Sequence, residues 1–266
     1  MVRKGIRVSS MSQEAKGTLL ASDEPPPFEV ANALGASSFL LISDHAGNAI
    51  PRALGTLGLS EADRVRHIAW DIGTAELGRR LAERIDACFI RQNYSRLVVD
   101  CNRDPGSDAA MPAVSDGSVV PGNQRLDAEA RRARIDEIHA PYQKAIAAEI
   151  GRRIALGRPV RLVALHSFTP RMDGLERPWQ IGILHNGGRD TLARRLLAHF
   201  RGRPKLTVGD NQPYQMDGTD FTVPAHAFPL DLDYAEIEIR QDLLADSHGI
   251  AAWTDRLAEA LSAGGD

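Results

Sequence analysis

The chain has 266 residues, 43% apolar and 25% charged, with a formal net charge of −3, the balance of a globular domain with a sizeable core. Its arginines are interleaved with acids, as in "RRLAERID" and "RRARIDEIH", a pattern of solvated helix faces that argues against a nucleic-acid groove. No apolar run approaches the ~18–20 residues needed to span a bilayer, and the basic start "MVRKGIR" is followed by no apolar stretch of the kind a secretory signal carries.

Residues 1–36 are polar and include Pro25-Pro26-Pro27; they read as an N-terminal tail or surface arm, with Met11 an alternative start. Residues 37–266 show no repeat and no interior linker and read as a single domain. Ser38–Ser43 is a continuous apolar run bounded by turn residues, as in a strand covered on both faces. "DIGTAELGRRLAERID" (Asp71–Asp86) spaces Ala75, Leu77, Leu81, Ala82 and Ile85 as a helix, with Asp71 suited to its N-cap or first turn. Short strands are expected at Cys88–Arg91 and Arg96–Asn102. Residues 104–124 are rich in Gly, Pro, Ser and Asp, and a loop of that length inside a compact domain often serves as a lid or binding loop. A long helix is expected from Asp127 to about Ala155. Strands follow at Arg161–Ser167, Gln180–His185 and Ala235–Gln241, and helices at Asp190–Phe200 and Ile250–Leu261. This alternation predicts an α/β fold with a mixed, largely parallel sheet and helices on both faces. Cys88 and Cys101 lack a CxxC partner and read as buried, reduced thiols in a cytoplasmic protein.

Ligands of open α/β sheets bind beyond the C-terminal ends of the strands. Asp44-His45, Asn102-Arg103-Asp104 and His166-Ser167 all fall at such ends, and Glu236, Glu238 and Arg240 lie on the strand "AEIEIRQ". A catalytic zinc takes three protein ligands and leaves a position open. His45 and His166 are candidate ligands, and Asp71 is the best third, with Asn48 its rival; a helix cap is the competing role for Asp71. Glu238 is the candidate general base, since a carboxylate on a buried strand is costly to ionise unless it is paired or faces a site. Glu236 shares its face by the period of two, and a structural pair with Arg240 is the alternative. Arg103, after Asn102, suits a planar carboxylate, with Arg96 as a helper, and ion pairs with Asp100 or Asp104 as the alternative for both arginines. His226 is a candidate oxyanion donor or acid. His185 ends a strand before Asn-Gly-Gly and is a weaker site candidate; His139 and His199 read as surface or core-edge residues, and His67 and His248 as structural.

The ordered set "DHAGNAIP", "HIAWDIG", "YSRLVVDCNRD", "LHSFTP", "RPWQIGIL", "VGDNQPY" and "IEIRQDLL", from about Phe39 to Leu244, resembles the N-formylglutamate amidohydrolase family. That resemblance implies a three-layer α/β/α sandwich of the phosphorylase/hydrolase-like type, similar to the zinc carboxypeptidases. It further implies Zn2+ or another divalent metal on His45, Asp71 and His166, a substrate carboxylate held by Asn102 and Arg103, and a water-activating carboxylate in Glu238. The chain departs from the carboxypeptidase His-x-x-Glu pattern, having His45-Ala-Gly-Asn48. The expected reaction is metal-dependent hydrolysis of a small N-acyl amino acid, with Arg96 or His226 at the oxyanion and residues 104–124 closing over the substrate. The rival expectations are a carboxypeptidase-like or cell-wall amide hydrolase acting on a longer substrate, and a catalytically weak protein that binds small carboxylates.

Overall fold

The computed structural model describes residues 18–263. Residues 1–17 of the expected arm, Met11 among them, lie outside the described residues. The remainder of that segment lies against the body. Leu19 is buried, the backbone amides of Leu19 and Leu20 donate to the Glu137 carboxylate, and Phe28–Ala31 forms strand β1.

In chain order the strands that follow are β2 (Phe39–Ser43), β3 (Cys88–Gln92), the hairpin β4 (Val114–Ser115) and β5 (Ser118–Val119), β6 (Arg161–Phe168), the hairpin β7 (Arg171–Met172) and β8 (Leu175–Glu176), β9 (Ile181–Leu184), β10 (Val208–Asp210) and β11 (Asp233–Arg240). The helices are α1 (Glu61–Arg64), α2 (Thr74–Arg84), α3 (Ala128–Arg134), α4 (Ala140–Ala155), α5 (Thr191–Arg201), α6 (Thr222–Ala227) and α7 (Ser247–Ser262). A π-helical turn at Ile135–His139 joins α3 to α4, so the long helix expected from the sequence is continuous but locally widened.

Seven strands form the main sheet in the order β1-β3-β2-β6-β11-β9-β10. The central strands β3, β2, β6 and β11 run parallel, whereas β1 is antiparallel at one edge and β9 is antiparallel to β11. Alternation along β2 explains the layers. Leu41 joins the core beneath α2, α5 and α7, while Leu40 and Ile42 join the core beneath α4 and α6. With both faces covered β2 is buried throughout, and its first four residues are apolar. The sheet is thus the middle layer of an α/β/α sandwich.

Three expectations are corrected. Arg96–Asn102 is no strand: the Ser95 carbonyl and hydroxyl accept from the amides of Val98 and Leu97, folding the segment into turns whose apolar side chains fill a third core cluster. The antiparallel course of β9 takes His185 away from the end of the sheet where His45 lies, and its ring sits between Asp190 and Asp210. Nor are the interleaved arginines all solvated. Arg134 is buried and donates to the carbonyls of Val98 and Gly122 and to the Asn123 side chain, anchoring the end of the 104–124 loop. Cys88 and Cys101 are free and buried. Among the described residues, no helix is long and apolar enough to cross a membrane.

Candidate active site

His45 lies two residues past the end of β2, after Asp44, and Ala46-Gly47 carry the chain tightly past Asn93. A Cβ on Gly47 would stand 2.0 Å from the Asn93 carbonyl oxygen, so only glycine permits the close passage that keeps His45 buried. Asp71 is not the cap of α2, whose N-cap is Gly73. Its backbone carbonyl accepts from the amide and hydroxyl of Thr74, which frees the carboxylate to point at the histidines. His166 stands near the end of β6, and the parallel register sets Glu238 of β11 directly beside it.

The three candidate ligands converge. One oxygen, Asp71 Oδ2, lies 2.9 Å from His166 Nδ1 and 3.5 Å from His45 Nδ1, and a ligand atom from each of the three residues fits within 4.8 Å of the others. The opposite nitrogens of the two rings also meet carboxylates. His45 Nε2 is 2.7 Å from Asp100 Oδ1, and His166 Nε2 is 3.3 Å from Asp44 Oδ2. Asp44 is fixed in turn by the Thr222 hydroxyl, and Asp100 by Arg96 and the Asn102 amide. Carboxylates behind ligating histidines set the tautomer and orientation of the ring. His45 Nδ1, which faces Asp71, and Glu238 Oε2 are buried without a hydrogen-bond partner. Such orphaned polar atoms clustered in one place are costly in a finished core and fit a divalent cation and its water. Two imidazoles and a carboxylate are the donor set of a zinc site with an open position.

The electrostatics of the cluster are strongly coupled. Burial pushes the Asp71 and Asp100 carboxyls up, but the neighbouring His45 ring, with His166 at Asp71 and Arg96 at Asp100, outweighs it and holds both below the usual carboxylate range. Burial lowers the proton affinity of His166, yet Glu236, Asp44 and Asp71 raise it well above that of a free imidazole. Glu236 and Glu238 are pushed up to about 8 by burial, against the opposing charge of His166.

A cavity of about 540 Å³ opens over these groups, within the range of small-molecule sites. The 104–124 loop contributes Ala109, Pro112, Ser115 and Asp116 to its wall. That loop is tied to the body where Arg66 binds Asp116 and Ser118, and Asp63 accepts from Ser118. The opposite wall includes Met172 and Pro213–Gln215. Gly182 makes this wall possible: a Cβ there would stand 1.9 Å from the Gln212 carbonyl oxygen, so the chain crosses β9 only because no side chain intervenes.

Not every expected residue reaches the cavity with its chemistry free. Asn102 is committed to the fold, its oxygen accepting from the amides of Phe221 and Thr222 and its amide group donating to Asp220. Arg103 lines the cavity and bonds Asn102, Thr219 and Asp220 through Nη1. Arg96 lines it too, with its guanidinium on Asp100 and 3.5 Å from Asp71. His226 is not brought to it. Helix α6 turns its ring onto the Gln143 side chain, 2.7 Å away, and burial lowers its proton affinity. Asn48 lies at the surface beside the Arg64 carbonyl, away from the ligand cluster. Arg240 pairs with Asp242 and leaves Glu236 and Glu238 without an arginine partner. Asp44 was expected either as a partner behind the His45 ligand or as a turn residue, Asp100 only as an ion-pair partner, and Tyr214 was not singled out. The signal for the two aspartates was their place one residue before His45 and three before Arg103.

Residues 37–245 match the N-formylglutamate amidohydrolase family. No match is found among curated protein sequences. Among solved structures, a gene product of Agrobacterium tumefaciens is 40% identical with a TM-score of 0.88, the alignment covering 92% of this chain and 97% of that one. The N-formylglutamate amidohydrolase of Ralstonia eutropha JMP134 shares the fold at 19% identity and a TM-score of 0.62, over 90% of this chain and 100% of that one. With its matched region spanning most of the sequence and the site assembled from those motifs, the chain belongs to the N-formylglutamate amidohydrolase family.

Proposed function

We propose that this protein is a zinc-dependent amidohydrolase that cleaves the amide bond of a small N-acyl amino acid such as N-formylglutamate. The observation that carries the reading is the convergence of His45, Asp71 and His166 on one buried point, each histidine backed by a further carboxylate. A divalent cation held there supplies Lewis acidity toward a water and an amide carbonyl.

The remaining work belongs to side chains of the chain itself. Glu238 takes a proton from the attacking water on its unpartnered Oε2 and returns it to the leaving amine. Asp100 and Asp44 hold the two imidazoles in register. Arg96 fixes Asp100 and Asp71, a positioning role in place of oxyanion donation. Arg103, bonded through Nη1, offers its second terminal nitrogen to a substrate carboxylate. The 104–124 loop encloses the substrate, and a cavity of about 540 Å³ suits an acyl amino acid better than a peptide. The free thiols fit a cytoplasmic setting.

The test is hydrolysis of N-formyl-L-glutamate by the purified protein, with its metal content measured before and after chelation. Turnover that follows the metal supports the proposal; unchanged turnover after complete metal removal overturns it.

A further inference from the structure

Of the two arginines that line the cavity, Arg96 is taken up by carboxylates and Arg103, bonded through Nη1, has its second terminal nitrogen left for one carboxylate of a substrate. Arg96 is held by Asp100 and Asp71, and Arg103 by Asp220. The wall is otherwise rich in acids, including Asp116, Asp217, Glu236 and Glu238, so an anionic substrate entering it meets repulsion unless a further positive charge is available. Arg177, directly after β8 in the segment leading to β9, is such a charge. Its guanidinium lies 4.7 Å from the centre of the Tyr214 ring and 5.9 Å from that of Phe168. It donates to the Tyr214 hydroxyl and to the Met172 sulfur. Phe168, Met172 and Tyr214 all line the cavity. Its charge acts on His67, Tyr214 and Glu238, three groups of the cavity wall. No carboxylate among the described residues pairs with it, although the neighbouring Glu176 pairs with Arg171.

A guanidinium laid on an aromatic face, with its bonds to a hydroxyl and a sulfur only, is oriented but not neutralised. We infer that Arg177, braced by Tyr214, is a specificity-determining residue that receives the side-chain carboxylate of the substrate, so that the enzyme favours N-acyl derivatives of acidic amino acids. This rests on the amidohydrolase reading for the reaction and adds the group that selects the substrate. Arg103 holds one carboxylate and Arg177 the other.

The experiment compares wild type with Arg177→Gln and Arg177→Lys. It measures kcat/KM for N-formyl-L-glutamate and N-formyl-L-glutamine, and calorimetric binding of glutarate, a dicarboxylate with no amide to cleave. Arg177→Gln is expected to lower kcat/KM for the glutamate substrate about 10–100-fold, the range of a lost charged hydrogen bond. The glutamine substrate should change little, glutarate binding should weaken, and Arg177→Lys should recover part of each loss. Arg177 is only partly buried, and unchanged melting temperatures confirm folded variants. An equal loss on both substrates, or glutarate binding that ignores the substitution, overturns the assignment. Glutarate binding that depends on Arg177 in a wild-type protein that cleaves neither amide supports the assignment and overturns the amidohydrolase reading instead.

Discussion

Glu238 and His166 are paired neighbours across the parallel β11–β6 ladder, their side chains emerging from one face of the sheet. The register therefore sets a candidate base against a candidate ligand with no help from a loop, and fixed geometry of this kind is what proton transfer requires. Glu238→Gln preserves shape and removes the base. Turnover should fall about 10²–10⁴-fold, the usual contribution of a general base, while zinc content stays that of wild type. Retained turnover would exclude Glu238 as the base.

Burial raises the proton affinity of Glu238 to about 8, far above the 4.5 of an exposed glutamate. Between those values the folded metal-free protein keeps a proton that the unfolded chain releases. Its stability should therefore fall as pH rises from about 5 to about 8, by up to about 1.4 kcal/mol per pH unit for one such group. His166, also raised, acts in the same direction: its contribution is present below the ordinary imidazole range and lost as pH climbs through the folded value. Urea denaturation of the metal-free protein across this range measures the slope. Glu238→Gln should reduce the slope, with Glu236 and His166 still contributing.

Metal binding should depend on pH, because the cation displaces the proton that His166 holds in its absence. Zinc affinity is expected to weaken as pH falls through the neutral range, with proton release on binding visible by calorimetry in buffers of different ionisation heat. Alanine at His45, Asp71 or His166 should abolish stoichiometric zinc.

Asp100 touches His45 on the side remote from Asp71. Asp100→Asn keeps the shape and removes the charge, and zinc affinity should drop about 10–100-fold, as for other carboxylates behind ligating histidines. Competition against a chromogenic chelator reads this directly; equal affinity would leave Asp100 as a partner of Arg96 alone.

Arg134 fastens the 104–124 loop from inside the protein. Arg134→Met leaves the carbonyls of Val98 and Gly122 unsatisfied, at about 1–3 kcal/mol for each buried group. The variant should melt earlier and expose the loop to limited proteolysis, and KM should rise more than kcat falls.

Much of this site is visible in the sequence because its ligands follow from strand ends. An apolar run covered on both faces declares its own depth, so His45 and His166 could be placed before any contact was known. Asp71 stood out through the helix it precedes, although its carboxylate serves the histidines and Gly73 sits at the cap. Other residues were hidden for physical reasons. Asn102 is spent on amides 119 and 120 positions away, a pairing no local pattern reveals. Asp100 was obscured because buried valines in a turn mimic a strand. The reversed direction of β9 cannot be read from "QIGIL", whose residues would suit either polarity, and His185 was misplaced along with it.

The bare α-carbon of Gly182 has a consequence for how the two halves of the site are joined. Gly182 is the register partner of Glu238, and Gln212 passes over it at a distance no methyl group would tolerate. The strand beside the candidate base and the segment that leads to Tyr214 are therefore stacked through missing side chains, at Gly182 and again at Gly209. A substitution at 182 would act as a wedge, prising the wall that braces Arg177 from the floor that holds Glu238. Substrate selection would then fail together with proton transfer, although residue 182 touches neither the metal cluster nor the substrate.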